Sequence, residues 1–327
     1  MGFHALPTDD YVECAQRLCA DITIGLADVV TTNPVSQKRL EKSADRTHAW
    51  TRDTLAARAE SDDGSNAAFF ASIPPLEPHQ QSFYLSDLSE EYRADVAGVT
   101  LYTPESATYV PETLKELPRL CLTNPKSPHD ILRAIALGND LITASFITET
   151  SENGIAMAFS LEFMSEIPDQ ALGFDLWSTA HAADLSPLLD GCQCYTCTKH
   201  HRAYLHHLLS AKEMLAWTLL QIHNLHTIEV FFQQIRKSIQ DGMFEEKIKA
   251  FSRAYAAGMP KATGEGPRIR GYQTKSVGGE PRKNKKAYGR LEEHARKLEE
   301  AESGVAMPET NTDGEDLEKH GLGEVQS

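Results

Sequence analysis

Short apolar runs alternate with longer mixed segments over roughly the first half of the chain. Three runs have the length and composition of buried strands, namely residues 22–26, 68–71 and 96–99. Longer segments separate them, such as residues 34–57 and 128–137, and the second begins Ser127-Pro128, a favourable helix start. The polar or Pro-rich residues 60–66 and 74–80 are typical of loops. Strands that alternate with helices predict a parallel α/β sheet or barrel.

A second pattern begins near residue 201. Residues 201–258 contain little Pro or Gly, and their apolar side chains recur at helical spacing, which predicts packed helices. The recurring residues are Leu205, Leu208, Leu209, Leu215, Leu219 and Ile222.

The character of the chain changes again after Met259. Residues 260–287 are basic and residues 303–327 are acidic, so both are expected to be disordered, with a short solvated helix near 291–300 between them. The basic stretch Arg268 to Lys286 suits either a solvated linker or a contact with RNA. We therefore divide the chain into residues 1–180, 181–259 and 260–327.

Composition narrows the class of protein. The 327 residues include 41% hydrophobic side chains, enough for a sizeable core, and carry a net charge of −15, so the chain as a whole does not attract nucleic acid. The first ten residues lack the basic and apolar regions of a secretory signal. No apolar run is long enough to span a bilayer. We expect a cytoplasmic protein.

Three of the six cysteines crowd into one short segment, Cys192, Cys194 and Cys197. In a reducing compartment, three thiols on one tight loop indicate Zn²⁺ rather than a disulfide. Spacing alone does not choose the fourth ligand among the nearby histidines, which are His200, His201, His206, His207, His223 and His226. The remaining cysteines, Cys14, Cys19 and Cys121, are expected to be buried as small hydrophobic residues.

The segment that follows the thiols carries a longer motif. Cys-x-Cys-x-x-Cys is followed by Arg202-Ala-Tyr-Leu-His-His-Leu and then by His223-Asn224. This series resembles the zinc subdomain of the tRNA-guanine transglycosylases, and the similarity continues to about Tyr255. The resemblance implies that His223 completes the site with Cys192, Cys194 and Cys197. Four protein ligands leave no open position, so one structural zinc per chain is expected.

Weaker similarity extends upstream in the same order. Residues 21–28 resemble the family strand that ends in an acidic pair. The family's Arg-Thr-x-x-Trp helix is similar to Arg46-Thr47-His-Ala-Trp50, and its Pro-Arg … Gly-x-Asp segment is similar to residues 117–140. The resemblance implies a (β/α)₈ TIM-type barrel closed by the helical zinc-binding subdomain. The family barrel normally begins well before the point that matches Met1, so we expect an N-terminally incomplete barrel.

The family exchanges guanine for queuine, or a precursor, at the wobble position of tRNA, with an Asp that attacks C1′ of the ribose. Where the family has Asp-x-x-Asp, this chain has Asp140-Leu-Ile-Thr143, so Thr stands at the position of the nucleophile. Glu149 and Glu152 lie where the family carries phosphate-binding arginines, and Ala27 replaces the first residue of the acidic pair. We therefore assign no catalytic residue.

These departures resemble a paralogous branch of the family that has lost its catalytic Asp. The first hypothesis is thus a non-catalytic subunit that pairs with a catalytic transglycosylase subunit and meets tRNA through that complex, while homodimerisation stays open. The second is an active enzyme that uses Asp140 or Asp28 as a displaced carboxylate, and the third is a zinc-binding fragment without assembly. The resemblance alone also implies peripheral association with the mitochondrial outer membrane.

Overall fold

The computed structural model describes residues 6–31, 34–60, 67–162 and 168–267. The predicted loop at 61–66, the predicted helix at 291–300 and the basic and acidic parts of the tail from residue 268 onward lie outside these residues. None of the described helices is both long and apolar enough to cross a membrane.

A parallel sheet with strand order β1-β2-β3-β4-β5 forms the first part of the fold. Its strands are β1 (Ile22–Ile24), β2 (Ala68–Ile73), β3 (Gly98–Leu101), β4 (Arg119–Cys121) and β5 (Leu141–Ile142). Because each strand pairs with the next one along the chain, the sheet has the topology of part of a (β/α)₈ barrel. The described residues supply five barrel strands and do not form a closed barrel.

Helices connect these strands as the alternating pattern predicts. They are α1 (Thr8–Arg17) before β1, α2 (Gln37–Glu60) after it, α3 (Ser82–Ser89) after β2, α4 (Pro128–Ala136) after β4 and α5 (Phe146–Glu152) after β5. Short 3₁₀ turns at Pro78–Gln80, Pro104–Tyr109 and Glu112–Leu114 take up the remaining connections. At the start of α4, Ser127 and Asp130 form a capping box and Pro128 occupies the first turn.

The second part of the fold is mainly helical. An antiparallel pair, β6 (Ile155–Met157) and β7 (Gly173–Asp175), precedes a 3₁₀ turn at Thr179–His181 and the helices α6 (Tyr195–Lys199), α7 (Arg202–Ser210), α8 (Met214–Gln240) and α9 (Phe244–Ala254). The helical pattern predicted for residues 201–258 is confirmed, although Leu215 and Ile222 are exposed on α8.

Three apolar clusters hold the elements together. In the first, Phe69 and Ile73 of β2 pack with Tyr84 and Leu88 of α3. The second joins α4 and α5 to α8 and α9 through Ile131, Phe146, Phe231 and Phe251, so the sheet and the helical region share one core. The third lies among α7, α8 and the chain before α6, and includes Leu188, Leu205, Trp217 and Leu220.

The hairpin of β6 and β7 allows no side chain at Gly173. A Cβ built on this residue would lie 2.3 Å from the carbonyl oxygen of Ala156 on the paired strand. We expect Gly173→Ala to lower the free energy of unfolding by about 1–3 kcal/mol, because the two strands must separate. Urea titration measures the change, and Gly258→Ala is the control, since a Cβ there meets no atom within 4 Å. Equal stability of both variants would contradict the expectation.

Candidate metal centre and the carboxyl edge of the sheet

The segment 191–197, here called the thiol loop, curls tightly before α7. Gly191 has a φ of +76°, a left-handed conformation that turns the chain into Cys192. Cys194 then caps α6, and its Sγ accepts a hydrogen bond from the Cys197 amide at 3.3 Å. Thr196 donates to the Leu219 carbonyl at 2.7 Å and ties the loop to α8. These contacts turn the three sulfur atoms toward α8.

The imidazole of His223 meets all three sulfurs. Its Nδ1 lies 3.8, 3.6 and 3.4 Å from the Sγ atoms of Cys192, Cys194 and Cys197, and the four atoms all lie within 4.8 Å of one another. Zn–S bonds of about 2.3 Å and a Zn–N bond of about 2.0 Å at tetrahedral angles require an S···N separation of about 3.5 Å. The spacing and the donor set therefore fit a tetrahedral metal ion such as Zn²⁺.

A second set of contacts orients this imidazole. The His223 Nε2 lies 2.9 Å from the Met157 carbonyl oxygen, so Nε2–H donates there and Nδ1 keeps its lone pair toward the sulfurs. The neighbouring Asn224 accepts from the Met157 amide at 2.9 Å and donates to the Ile155 carbonyl at 3.0 Å and to Ser151 at 2.9 Å. His223 and Asn224 are both fully buried. Together they fasten α8 to β6.

The sulfur and nitrogen atoms of this cluster lie close enough to share protons, so the pKa values of Cys192, Cys197 and His223 depart from their ordinary values. Hydrogen bonds from Cys197, and then from His223, lower the pKa of Cys192 to about 3, while the shared proton raises the pKa of Cys197. Burial opposes a charged imidazole, yet hydrogen bonds to Cys192 and Cys194 raise the pKa of His223 to about 9. The cluster thus favours thiolate, and a bound metal ion would take the place of the proton that the His223 Nδ1 and the sulfurs otherwise share.

Three of the other histidines considered as ligands, His200, His201 and His206, have different contacts. The ring of His200 stacks on Tyr204 at 5.1 Å, His201 caps α7 through the Tyr204 amide at 3.1 Å, and His206 Nδ1 lies 2.8 Å from the Leu176 carbonyl. Within the described part of the chain, only Cys192, Cys194, Cys197 and His223 form a group that could hold a metal ion.

The carboxyl edge of the parallel sheet is where a barrel of this kind places its active site. Thr143 follows β5 at this edge, and its hydroxyl donates to the Thr123 carbonyl. Asp140 precedes β5 and so lies at the opposite, amino edge, where its carboxylate accepts from the Arg119 amide at 2.9 Å. The structure therefore separates Asp140 from the position that the displaced-carboxylate hypothesis requires.

Asp28 lies beyond the carboxyl end of β1, but its carboxylate is fully engaged. Arg39 binds it through two nitrogens at 2.6 and 2.8 Å, and Arg46 adds a third contact at 3.0 Å. Its amide donates to Thr47 at 3.1 Å, and Ser43 donates to its carbonyl. The hydrogen bond from Arg39, and then that from Arg46, lowers the pKa of Asp28, so the residue fastens α2 to the sheet rather than acting as a base.

Neutral hydroxyl groups occupy the centre of this edge. The Ser72 hydroxyl donates to the Gly25 carbonyl at 2.6 Å and lies 3.1 Å from the Tyr102 hydroxyl, and Tyr84 donates to the Ser72 carbonyl at 2.7 Å. Burial raises the pKa of both Tyr84 and Tyr102, so both stay protonated at neutral pH. The network, which the sequence pattern did not indicate, holds strands together and offers no base.

The two carboxylates on α5 face solvent. Glu149 is exposed and lies 3.5 Å from Lys126, a weak ion pair in water, and the side chain of Glu152 is exposed. Both residues are where the family resemblance expects phosphate-binding arginines, so this helix presents negative charge instead.

The three isolated cysteines do not share one environment. Cys121 is buried in β4, as expected, and burial raises its pKa to about 11. Cys14 and Cys19 are exposed, so the prediction that they are buried is wrong. The cause is local: α1 buries its opposite face through Val12, and Cys19 lies in the turn after the helix with a φ of +49°.

Comparison with known proteins places this geometry in a family. The family model described as "Queuine tRNA-ribosyltransferase" matches residues 1–257. The chain therefore belongs to the queuine tRNA-ribosyltransferase family, the tRNA-guanine transglycosylases.

Three curated relatives of the chain carry one and the same description. The chain is 35% identical over 291 residues to "Queuine tRNA-ribosyltransferase accessory subunit 2" of Schizosaccharomyces pombe, which covers 88% of this chain and 65% of that protein. The proteins of the same description from Ixodes scapularis and Drosophila mojavensis are 32% and 29% identical, over 71% and 73% of this chain. The chain spans 63% and 61% of those two relatives, so it covers just under two thirds of the curated proteins that it matches.

The Asp28 contacts predict a pH-dependent stability. Because the folded pKa of Asp28 lies below its ordinary value of 3.8, its contribution is complete well above pH 3.8 and is lost as the pH falls through the folded pKa. We expect Asp28→Asn to lower the free energy of unfolding at pH 7 by about 1–3 kcal/mol, as for other charged hydrogen bonds. Urea titrations should show the difference shrinking below pH 3.8. A difference that does not depend on pH would rule out the ionic explanation.

Proposed function

We propose that Cys192, Cys194, Cys197 and His223 bind one zinc ion and that this ion is structural. The S···N spacings of 3.4–3.8 Å suit a tetrahedral ion, and the four side chains would leave no position for substrate. The fixed orientation of His223 by Met157 supports the same assignment, because a metal-bound imidazole commonly donates its other N–H to a carbonyl group.

Loss of a thiol should therefore release the metal and destabilise the fold. We expect Cys194→Ser protein to contain less than about a tenth of the zinc of the unaltered chain and to be largely insoluble, since metal binding contributes folding energy. Metal analysis of the purified protein measures the zinc. Cys14→Ser, at an exposed cysteine, is the control and should keep one zinc per chain. A soluble, folded Cys194→Ser protein without zinc would refute the structural role.

We further propose that the chain acts as a non-catalytic accessory subunit of a queuine tRNA-ribosyltransferase. Its catalytic partner subunit would exchange guanine for queuine at the wobble position of tRNAs with GUN anticodons, those for Asp, Asn, His and Tyr. The observation that carries this proposal is the neutral hydroxyl of Thr143, bound to the Thr123 carbonyl at the carboxyl edge of β5. The names of the relatives from three organisms support the same role.

The competing enzymatic hypothesis needs a free carboxylate at that edge. Asp140 lies at the other edge of the sheet, and Asp28 is held by Arg39 and Arg46. Glu149 and Glu152 would also repel the RNA backbone. These observations favour the accessory role over an active enzyme with displaced carboxylates. Binding to the catalytic subunit would separate the accessory role from the third hypothesis, a zinc-binding fragment without assembly.

The helix that carries His223 offers a surface for the partner. Four exposed apolar side chains lie along one side of α8, here called the interface stripe: Met214, Leu215, Ile222 and Leu225. The period of the helix places all four within about a third of its circumference. Nearby, the exposed ring of Tyr195 contacts His200, which stacks on Tyr204. Apolar and aromatic side chains of this kind are typical of the centre of subunit interfaces.

We place this complex in the cytoplasm. The six cysteines are all free, which suits a reducing compartment. Association with the mitochondrial outer membrane stays an expectation from the family resemblance, and homodimers would use the same exposed stripe.

The interface stripe can be tested by charge insertion. Leu225→Glu should weaken binding to the catalytic subunit by about tenfold or more, since a buried unpaired charge is costly at the centre of an interface. Ile239→Glu is the matched control, because Ile239 is equally exposed near the far end of the same helix. Calorimetric titration of the catalytic subunit measures both affinities. An affinity of Leu225→Glu equal to that of the unaltered chain would remove the stripe from the interface.

The absence of catalysis can be tested on the chain by itself. We expect no covalent adduct with tRNA and no exchange of labelled guanine, and we expect Thr143→Asp to restore neither. The restored Asp would still lack the arginines and the acidic pair of active members, and groups that act as a unit are not recovered singly. Queuine incorporation should rise only when the catalytic subunit is added. A stable tRNA adduct on the isolated chain would overturn the accessory proposal.

A further inference from the structure

Residues 261–266, here called the strap, run back over the helical region after α9 ends. This differs from the expectation that the chain is disordered from residue 260. The Thr263 amide and hydroxyl both donate to Oδ2 of Asp175, at 3.0 and 2.5 Å. Oδ1 of the same carboxylate accepts from the Trp177 amide at 3.0 Å. One carboxylate at the end of β7 therefore holds both the strap and the chain that leads to the thiol loop.

A glycine allows the strap to lie against an indole ring. A Cβ built on Gly264 would lie 2.1 Å from Cδ2 of Trp177, and one built on Gly154 would lie 2.3 Å from its Nε1. The indole is thus enclosed between two glycine backbones. Among the described residues, its buried Nε1 has no hydrogen-bond partner, so packing alone holds the ring in place. A side chain at residue 264 would have to displace either the strap or the ring.

The strap also reaches the turn between α7 and α8. Lys212 lies in this turn with a φ of +56°, an uncommon backbone conformation for a residue other than glycine, and its Nζ lies 2.7 Å from Glu265. This ion pair is exposed and contributes little by itself. Its position matters more, because Met214 and Leu215, the first two residues of the interface stripe, follow the same turn directly.

We propose that the strap is a latch that holds the α7–α8 turn and the β7 end in one arrangement, and that it thereby positions the first turn of α8 for the partner subunit. The second part of this proposal, that the strap positions the first turn of α8 for a partner subunit, rests on the proposed accessory function. Within three residues, the strap contacts Asp175 and Trp177 at the end of β7 and Lys212 in the α7–α8 turn, two segments that are distant in sequence. When the latch opens, the indole of Trp177 and the α7–α8 turn lose their cover together.

Trypsin provides the first test on the full-length chain. Lys261 is exposed in side chain, but cleavage after it needs several residues of free backbone, which the docked strap does not offer. Gly264→Ala should speed cleavage after Lys261 by roughly tenfold or more, and should shift the emission of Trp177 to longer wavelength. Gly258→Ala is the matched control, because a Cβ there meets nothing within 4 Å. Trp177→Phe identifies the emission that belongs to this indole.

Hydrogen exchange tests the effect of the latch on the turn. In Gly264→Ala, amides of residues 211–216 should exchange roughly tenfold faster than in Gly258→Ala, while those around His223 keep their protection. Thr263→Glu gives a second route that does not change the residue packed on the indole, because its carboxylate would repel that of Asp175. It should produce the same cleavage and exchange. Unchanged exchange at residues 211–216 in both variants would overturn the proposal.

Affinity for the catalytic subunit tests separately whether the strap positions α8 for a partner. Both variants should bind it more weakly than Gly258→Ala does, by a factor of about three to ten. Faster exchange with unchanged affinity would refute the positioning of the interface. If the unaltered chain does not bind the catalytic subunit, the accessory function fails, but the cleavage and exchange results still decide whether the strap is a latch.

Discussion

The contact of His223 and Asn224 with β6 is the constraint on which the helical region depends. Met157 uses its carbonyl to fix the imidazole and its amide to bind the neighbouring Asn224. Strand β6 thereby fixes both the direction of the His223 lone pair and the distance between α8 and the β6–β7 hairpin. Since the three thiols curl toward Nδ1 of His223, the candidate metal centre, the hairpin and α8 share one small set of buried contacts. Each of these buried polar groups would lower the stability of the fold if it had no hydrogen-bond partner.

The carboxyl edge of the sheet keeps its architecture under different chemistry. Hydroxyl groups of Ser72, Tyr84 and Tyr102 and the ionic contacts of Asp28 connect the strands and helices where a catalytic barrel would expose acids and bases. Each of these groups has a partner within the protein. Groups that satisfy one another add to stability, whereas functional sites are commonly held at some cost to stability.

The sequence predicts those features that depend on neighbouring residues. The thiol spacing, the start of α4 at Ser127-Pro128 and the apolar runs of β1 and β2 are local, and all appear in the structure. The predicted strand at 96–99 begins two residues later, at Gly98, because Val96 is buried from the preceding loop and extends the apolar run. The exposure of Cys14 and the docking of Gly264 on Trp177 depend on distant partners, and a pattern along the chain does not contain that information.

Geometry explains two points that the sequence left open, namely which histidine joins the three thiols and where Asp140 lies relative to Thr143. The six histidines near the thiols lie within 27 positions, on α7, on α8 and in the connection before α7, so spacing cannot select one. Of these six, only His223 has a buried carbonyl beside its second nitrogen and three sulfurs beside the first. Asp140 and Thr143 are three residues apart, and a strand of two residues separates them. Because a strand advances about 3.3 Å per residue, side chains at its two ends serve opposite edges of the sheet. Asp140 therefore binds the backbone of β4 at the amino edge, whereas Thr143 lies at the carboxyl edge.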